Sequence, residues 1–261
     1  MIRKVLFLGA AGLLLGASAA FAFPPIDLTT QDATATSADG TIWTQLSTDP
    51  TGTGVYNPFL RLHNSPTEEG LNTDGNANAT YDDVGGIWTH SVTLGQLAVI
   101  NVGGVNYYQF SVDINEVATD GKQYLSLDQL KIYTLAGSGS LTSTTDVVSA
   151  GGVLRYNLDG TTDQTVYLNY NLNTGSGGDD AQVLIPTSYF AGASSTDQIY
   201  FYTQMGATTG MEADLTSDDG FEEWSAALGT APPPPSLPEP STVMILGTGL
   251  LGLAATRMRK K

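Results

Sequence analysis

Short apolar and aromatic runs separated by polar turns recur along most of this chain, and no stretch between them holds a 3.6-residue period for three turns. The runs lie at Thr41–Leu46, Tyr56–Leu62, Ile87–Leu94, Leu97–Val102, Tyr107–Ile114, Tyr124–Thr134, Val153–Leu158, Thr165–Tyr170, Ala181–Ile185 and Gln198–Gln204. Several alternate with a period of two: Tyr108, Phe110, Val112 and Ile114 share one face, and Gln109, Ser111 and Asp113 share the other. Turn signals such as Val102-Gly103-Gly104, Asp120-Gly121, Asp159-Gly160 and Gly175–Asp180 stand between them. Many short strands with polar turns predict an all-β domain built as a β-sandwich, of jelly-roll or galactose-binding-like form. Phe23–Asp39 is Thr-rich and reads as an irregular lead-in or an edge strand. Asn64–Asp83, dense in Asn, Thr, Asp and Gly, reads as a long loop, and loops of that length usually carry function or stay unstructured.

The two ends follow other rules. Met1-Ile2-Arg3-Lys4 is a short basic region, Val5–Ala17 is apolar, and Ala20-Phe21-Ala22 has the small-x-small pattern read by signal peptidase. Residues 1–22 are therefore expected to be a signal peptide, cleaved after Ala22. At the other end Pro232–Pro235 form a stiff spacer, within residues 231–237. Pro238-Glu239-Pro240 follows, then an uncharged segment over about 241–256, then the basic cluster Arg257, Arg259, Lys260 and Lys261. About sixteen helical residues cover ~24 Å, slightly less than the ~30 Å hydrocarbon core. The terminal cations favour the cytoplasmic side and leave the rest of the chain outside.

A Pro-Glu-Pro tripeptide placed directly before a terminal helix and a basic tail resembles the PEP-CTERM sorting signal of Gram-negative bacteria. That resemblance implies recognition of residues 238–261 by an exosortase, a membrane-embedded cysteine protease and transpeptidase. It also implies a precursor anchored in the inner membrane and a product delivered to the cell surface or extracellular matrix. A plain C-terminal anchor is the simpler alternative, and the tripeptide alone does not exclude it.

Setting both ends aside changes the charge. Of the ten Lys and Arg residues only Arg61, Lys122, Lys131 and Arg155 fall between Phe23 and Leu237, whereas all of the 26 acids but Glu239 do. Four cations against 25 acids give the exported body a net charge of −21. Such a surface repels DNA, RNA and anionic lipid, which excludes nucleic-acid binding. The chain has no Cys, so the domain at 23–230 must be held by its core or by ions.

Blocks within this body carry a second resemblance. They are Asn57–Arg61, Glu69–Asp74, Phe110–Glu116, Leu125–Tyr133 and Asp219–Trp224. Their order resembles a group of uncharacterised PEP-CTERM cargo ectodomains. It implies a β-sandwich and no particular activity.

Few motifs point to chemistry. Gly247-Thr248-Gly249-Leu250-Leu251-Gly252 fits a dinucleotide fingerprint but sits inside the terminal apolar segment, without the strand and βαβ unit that phosphate binding needs. The acidic constellation is stronger. Asp113 and Asn115 fall on one side of a strand end, Glu116 follows, and Asp128 in the next predicted strand could face them across a hairpin. Oxygen ligands of this kind suit Ca²⁺, the one cofactor the sequence suggests, and a solvated strand end is the alternative. Asn157–Asp163 reads as an Asp-Gly turn, because Arg155 stands where a calcium loop needs a leading acid. Asn72–Asn78 lacks the closing Gly and distal Glu of an EF-hand, and Asp218–Glu223 forms a further oxygen cluster.

For catalysis the inventory is poor. His63 and His90 are the only histidines, and Cys–His chemistry is impossible. Zinc would lack ligands, and no Gly-x-Ser-x-Gly elbow occurs. The expectation is a non-enzymatic exported protein whose exposed Tyr or Trp rings bind exopolysaccharide. A Ca²⁺-stabilised adhesion module is the first alternative, and a polysaccharide-active enzyme using paired carboxylates is the second. Signal peptidase and an exosortase are the expected processing partners.

Overall fold

A computed structural model describes residues 24–47, 57–160, 162–175, 177–208 and 214–229. The expected signal peptide, the spacer and the sorting segment all lie outside these residues. Within them the chain forms β1 (Ile26–Asp27), β2 (Thr34–Thr36), β3 (Ile42–Gln45), β4 (Leu60–Leu62), β5 (Glu68–Leu71), β6 (Val92–Thr93) and β7 (Ile100–Val102). After these come β8 (Val105–Asp113), β9 (Tyr124–Leu135), a single short helix α1 (Thr144–Ser149), β10 (Val153–Asn157) and β11 (Val166–Asn169). The last strands are β12 (Ala181–Pro186), β13 (Gln198–Met205) and β14 (Glu222–Ala226). Helix α1 has only six residues and starts where the Ser143 hydroxyl accepts from Asp146 N–H at 3.0 Å.

The strands make two seven-stranded sheets. One runs β1-β11-β9-β13-β5, with β10 also on β9 and β6 also on β13. The other runs β2-β3-β12-β8-β14-β4, with β7 also on β8. The ladders are antiparallel except for β1 on β11. The β7–β8 hairpin closes through Gly103 and Gly104, whose φ values of 59° and 88° suit a two-residue turn that only glycine accepts without strain.

The two sheets pack face to face, and the aromatic core shows it directly. Phe201 on β13 lies with its ring centroid 5.2 Å from Phe110 on β8 and 4.8 Å from Trp224 on β14. Phe59 stands edge-on to Phe201 at 5.2 Å. The same cluster takes in Trp43, Val112, Ile132 and Val183, all buried. The alternation of Phe110 and Val112 was legible because the opposite face of β8 carries the polar side chains. The all-β expectation and the sandwich-like packing agree with this arrangement.

Three local expectations need correction. Asn64–Asp83 is not one loop: Glu68–Leu71 is β5, pairing β13 from Tyr202↔Leu71 to Met205↔Glu68. The segment Glu-Glu-Gly-Leu reads as polar, yet Glu68, Gly70 and Leu71 are buried. Gly70 is required there, since a Cβ would come within 2.1 Å of Leu62 Cδ2 on β4. In the run Ile87–Leu94 only Val92–Thr93 is strand. Finally, β8 and β9 are not a hairpin. They belong to different sheets, so the connection after Asp113 crosses from one layer to the other. Among the described residues no helix is long and apolar enough to cross a membrane.

Candidate functional site

Two features at one edge of the sandwich stand out. The first is a cleft of about 400 Å³ between segments 73–77 and 85–90. Asp74, Asn76 and His90 supply its polar wall, and glycines 75, 85 and 86 keep it open. Its walls are fastened to the body. Asp74 Oδ1 accepts from Ser91 N–H at 2.9 Å, and Asp74 N–H donates to Gly139 O at 2.7 Å. The Asn72 amide crosses into the sheet, donating to Ile199 O at 3.0 Å and accepting from Phe201 N–H at 2.6 Å. Asn76 is exposed on the cleft, and Ile87 on the adjoining segment is 73 % exposed.

Next to this cleft Trp88 lies over the Arg61 guanidinium, with Cζ 3.7 Å from the ring centroid. Phe221 takes another side of the same cation at 4.8 Å and contacts the His63 ring at 4.7 Å. Arg61 also donates through Nε to Glu223 Oε1 at 2.7 Å. Position β4 places Arg61 opposite Glu223 on β14, so the pair follows from strand register. Trp43 and Trp224 lie in the core, and every described tyrosine is buried or half-buried. At this edge Trp88 is half-buried against Arg61, and Phe221 is 37 % exposed.

The second feature is a set of buried carboxyls. Glu68 on β5 and Glu222 on β14 are fully buried and lie within hydrogen-bonding reach of each other, although their strands belong to different sheets. Both side chains are acceptors when ionised, so the contact becomes a hydrogen bond only if one keeps a proton. Glu222 Oε2 has no donor, whereas the Glu222 carboxyl and the Asn64 backbone N–H lie close to Glu68. Burial pushes both carboxyls upward; Glu68 and Glu116 raise Glu222 further, whereas the hydrogen bond with Glu222 pulls Glu68 back down. Glu116 belongs to the same group. Burial pushes it up to about 8, against a lowering contact from Asp218 N–H at 2.9 Å. As these side chains stand, no three His, Cys, Asp or Glu residues among those described form a group that could hold a metal ion.

Residues 236–260 match the PEP-CTERM protein-sorting motif. The chain carries an exosortase sorting signal. A PEP-CTERM signal marks an exported protein whose precursor is anchored in the membrane before processing, which agrees with the reading of Pro238-Glu239-Pro240 and the basic tail. No curated protein matches this PEP-CTERM chain, and no solved structure does.

The four residues read as calcium ligands in this PEP-CTERM protein separate into three places. Asp113 ends β8 and accepts from Gly177 N–H at 2.6 Å, with Asn115 beside it. Glu116 turns away toward Asp218, Glu68 and Glu222. Asp128 is on β9 in the other sheet, where Oδ2 accepts from Ala207 N–H at 2.7 Å and from the Ser126 hydroxyl at 2.8 Å. Asp128 therefore fastens the segment after β13, and the expected hairpin contact with Asp113 is absent because the two strands lie in different layers. In the Asp218–Glu223 cluster, Asp218 and Glu222 join Glu116, while Glu223 goes to Arg61. Asn157–Gly160 is a turn, with Gly160 N–H donating to Asn157 O at 3.0 Å. Sequence reasoning missed Glu68 altogether. Its only signal was an acid paired with a small residue two places on, inside what read as a loop.

Proposed function

We propose that this is a non-enzymatic exported protein of the cell surface or extracellular matrix, released by signal peptidase after Ala22 and processed by an exosortase at its tail. Its sandwich, of the jelly-roll or galactose-binding kind, holds uncharged exopolysaccharide in the cleft between segments 73–77 and 85–90. The observation that carries this reading is a fastened polar cleft flanked by an exposed Ile87 and the ring of Trp88. Amide, carboxylate and imidazole groups suit sugar hydroxyls, and an apolar flank suits the C–H face of a pyranose. A fixed wall lowers the ordering cost of binding. The net charge favours a neutral chain over an acidic one.

Hydrolysis has less support. A glycosidase needs two carboxylates that flank the scissile bond. In the cleft Asp74 is held by Ser91, and the carboxyls with the most perturbed ionisation are buried between the sheets.

The test is retention of the exported form on purified exopolysaccharide and on a glycan array. Asn76→Ala and Trp88→Ala should each lower retention at least severalfold while the fold persists by circular dichroism. Unchanged retention in both variants would remove the cleft from the reading. The sorting half is tested by mass spectrometry of the surface-delivered protein, in cells with and without the exosortase. Intact residues 241–261 in the exosortase-positive cells would contradict processing.

A further inference from the structure

We propose that the β7–β8 hairpin is a membrane-contact arm, whose exposed valines settle into the headgroup layer of the bilayer that holds the precursor. The proposal rests on the anchored precursor and not on sugar binding by the cleft.

Charge and exposure together mark the arm. From Val84 to Val112 the sequence has no Asp, Glu, Lys or Arg, in a body that carries 25 acids. Strand β12 stops at Pro186, opposite Tyr107, so Val105 and Asn106 extend past it with β7 as their companion. Register puts Val102 opposite Val105 and Ile100 opposite Tyr107, and these four share one face. Toward the tip that face opens to solvent: Tyr107 is buried, Ile100 is half-buried, Val102 is 41 % exposed and Val105 46 %. On the other face Asn101 Nδ2 donates to Asn106 Oδ1 at 2.7 Å. Val99, just before β7, is 56 % exposed. Single exposed apolar residues are ordinary, but several gathered on an uncharged arm mark an interaction surface.

The place where the chain leaves the domain selects the partner. Strand β14 runs antiparallel to β8, pairing Glu223 with Asp113 and Ala226 with Phe110. Its C-terminal end therefore lies toward Val105, at the end of the sheet from which the hairpin extends. Just beyond, Leu228 pairs with Leu97 ahead of β7 and is 51 % exposed. The described residues end at Gly229, and the apolar segment of the sorting signal begins at about residue 241. In polyproline form residues 230–240 cover ~34 Å. From Leu97 to Gly103 the arm covers ~20 Å at ~3.3 Å per residue. The tether is thus long enough for the arm to rest on the bilayer that anchors it.

A lipid surface also fits the arm's chemistry. Anionic headgroups repel the −21 body, so an uncharged apolar tip is the part suited to touch a bilayer. Among the described residues β7 is bonded to β8 alone. Its free backbone groups need water, so the arm stays in the hydrated headgroup layer and only the valines reach the acyl boundary. One acid stands at the arm's base: Asp197 O accepts from Leu94 N–H at 2.9 Å, and its carboxylate accepts from Ser194 N–H at 2.9 Å. A few valines bind lipid weakly by themselves, but the anchor supplies the effective concentration that makes the contact persist.

The chain has no Cys, so single cysteines report position without background. The experiment uses full-length precursor from cells lacking the exosortase, placed in phosphatidylcholine nanodiscs. A fluorophore is attached at Val102→Cys or, past the far end of β8, at the exposed Ala118→Cys. Nitroxide-labelled phospholipid should quench the Val102 site more than the Ala118 site by roughly twofold or more. Adding Val99→Ser and Val105→Ser should erase that difference while circular dichroism and elution with the disc stay unchanged. Equal quenching at the two sites without the serine changes would overturn the proposal. Shielding of Val102 from aqueous iodide without quenching by lipid would overturn it too, and would assign the arm to a second copy of the chain. Precursor that does not elute with the disc would overturn it through the anchor instead, a failure visible before any fluorescence is read.

Discussion

Arg61 and Glu223 face each other across β4 and β14 as a buried ion pair, with Arg61 Nε 2.7 Å from Glu223 Oε1. Asp113 lies opposite Glu223 on the other flank of β14, so the arginine answers a second acid indirectly. Arg61→Ala withdraws the guanidinium from the buried Glu223 carboxylate and should cost about 3–5 kcal/mol in urea unfolding. Arg61→Met with Glu223→Met together should cost far less, because the buried charge disappears from both sides. A double variant as unstable as Arg61→Ala would mean that the Trp88 and Phe221 stacking, not the charge, sets the loss.

Gly220 has φ of 81°, and a Cβ there would stand 2.2 Å from Asn115 O. Gly220→Ala should therefore destabilise by well over 1 kcal/mol. It should also speed hydrogen exchange at Asn115 and Glu222, whose contact depends on this close approach. Wild-type exchange at both amides would show that the segment can shift without harm.

Asp113 and Asp180 give the stability a pH slope. Burial pushes Asp113 up to about 7 and Asp180 well above the usual range, against the lowering N–H donors of Gly177 and Ile114. Glu223 and Asp179 push in the same direction as burial. For Asp113 the folded-state value exceeds the unfolded one, so the native state binds more protons between about pH 4 and pH 7, and Asp180 acts in the same direction. Stability is full below that window, falls as pH rises through it, and levels off above it. In calcium-free buffer Tm should drop from pH 5 to pH 8, and Asp113→Asn should flatten the drop.

Phe201 meets Phe59, Phe110 and Trp224 at centroid distances between 4.8 and 5.2 Å. Phe201→Ala should cost about 3–5 kcal/mol, read as a lower denaturant midpoint with an unchanged slope. A loss under about 1 kcal/mol would show that the sheets collapse onto the space.

Alternation made β8 legible, whereas β9, β12 and β13 were legible as apolar and aromatic runs that are buried along most of their length. Strand β5 was not, because its inward residues are Glu68 and Gly70, which local pattern assigns to solvent or turns. The same substitution of an acid for an apolar residue hid the Glu68–Glu222 contact. That contact joins strands 154 positions apart and arises only when the two sheets close. Asp113 and Glu116 stand out in the sequence as acids at a strand end, but their partners could not be read from spacing. A period of two tells which side a residue takes and not which layer lies opposite. The cleft was partly legible as a polar stretch rich in Asn and Gly, whereas its neighbour Trp88 became informative only beside Arg61.

The chain leaves the sandwich along β14, which is flanked by β8 on one side and β4 on the other. Just past its end Ala98 N–H donates to Ala227 O at 2.8 Å, and Gly229 N–H donates to Gln96 O at 2.8 Å. A pull on the C-terminal tail is therefore loaded lengthwise onto a strand bonded along both edges, so that its ladders must shear together and cannot unzip one bond at a time.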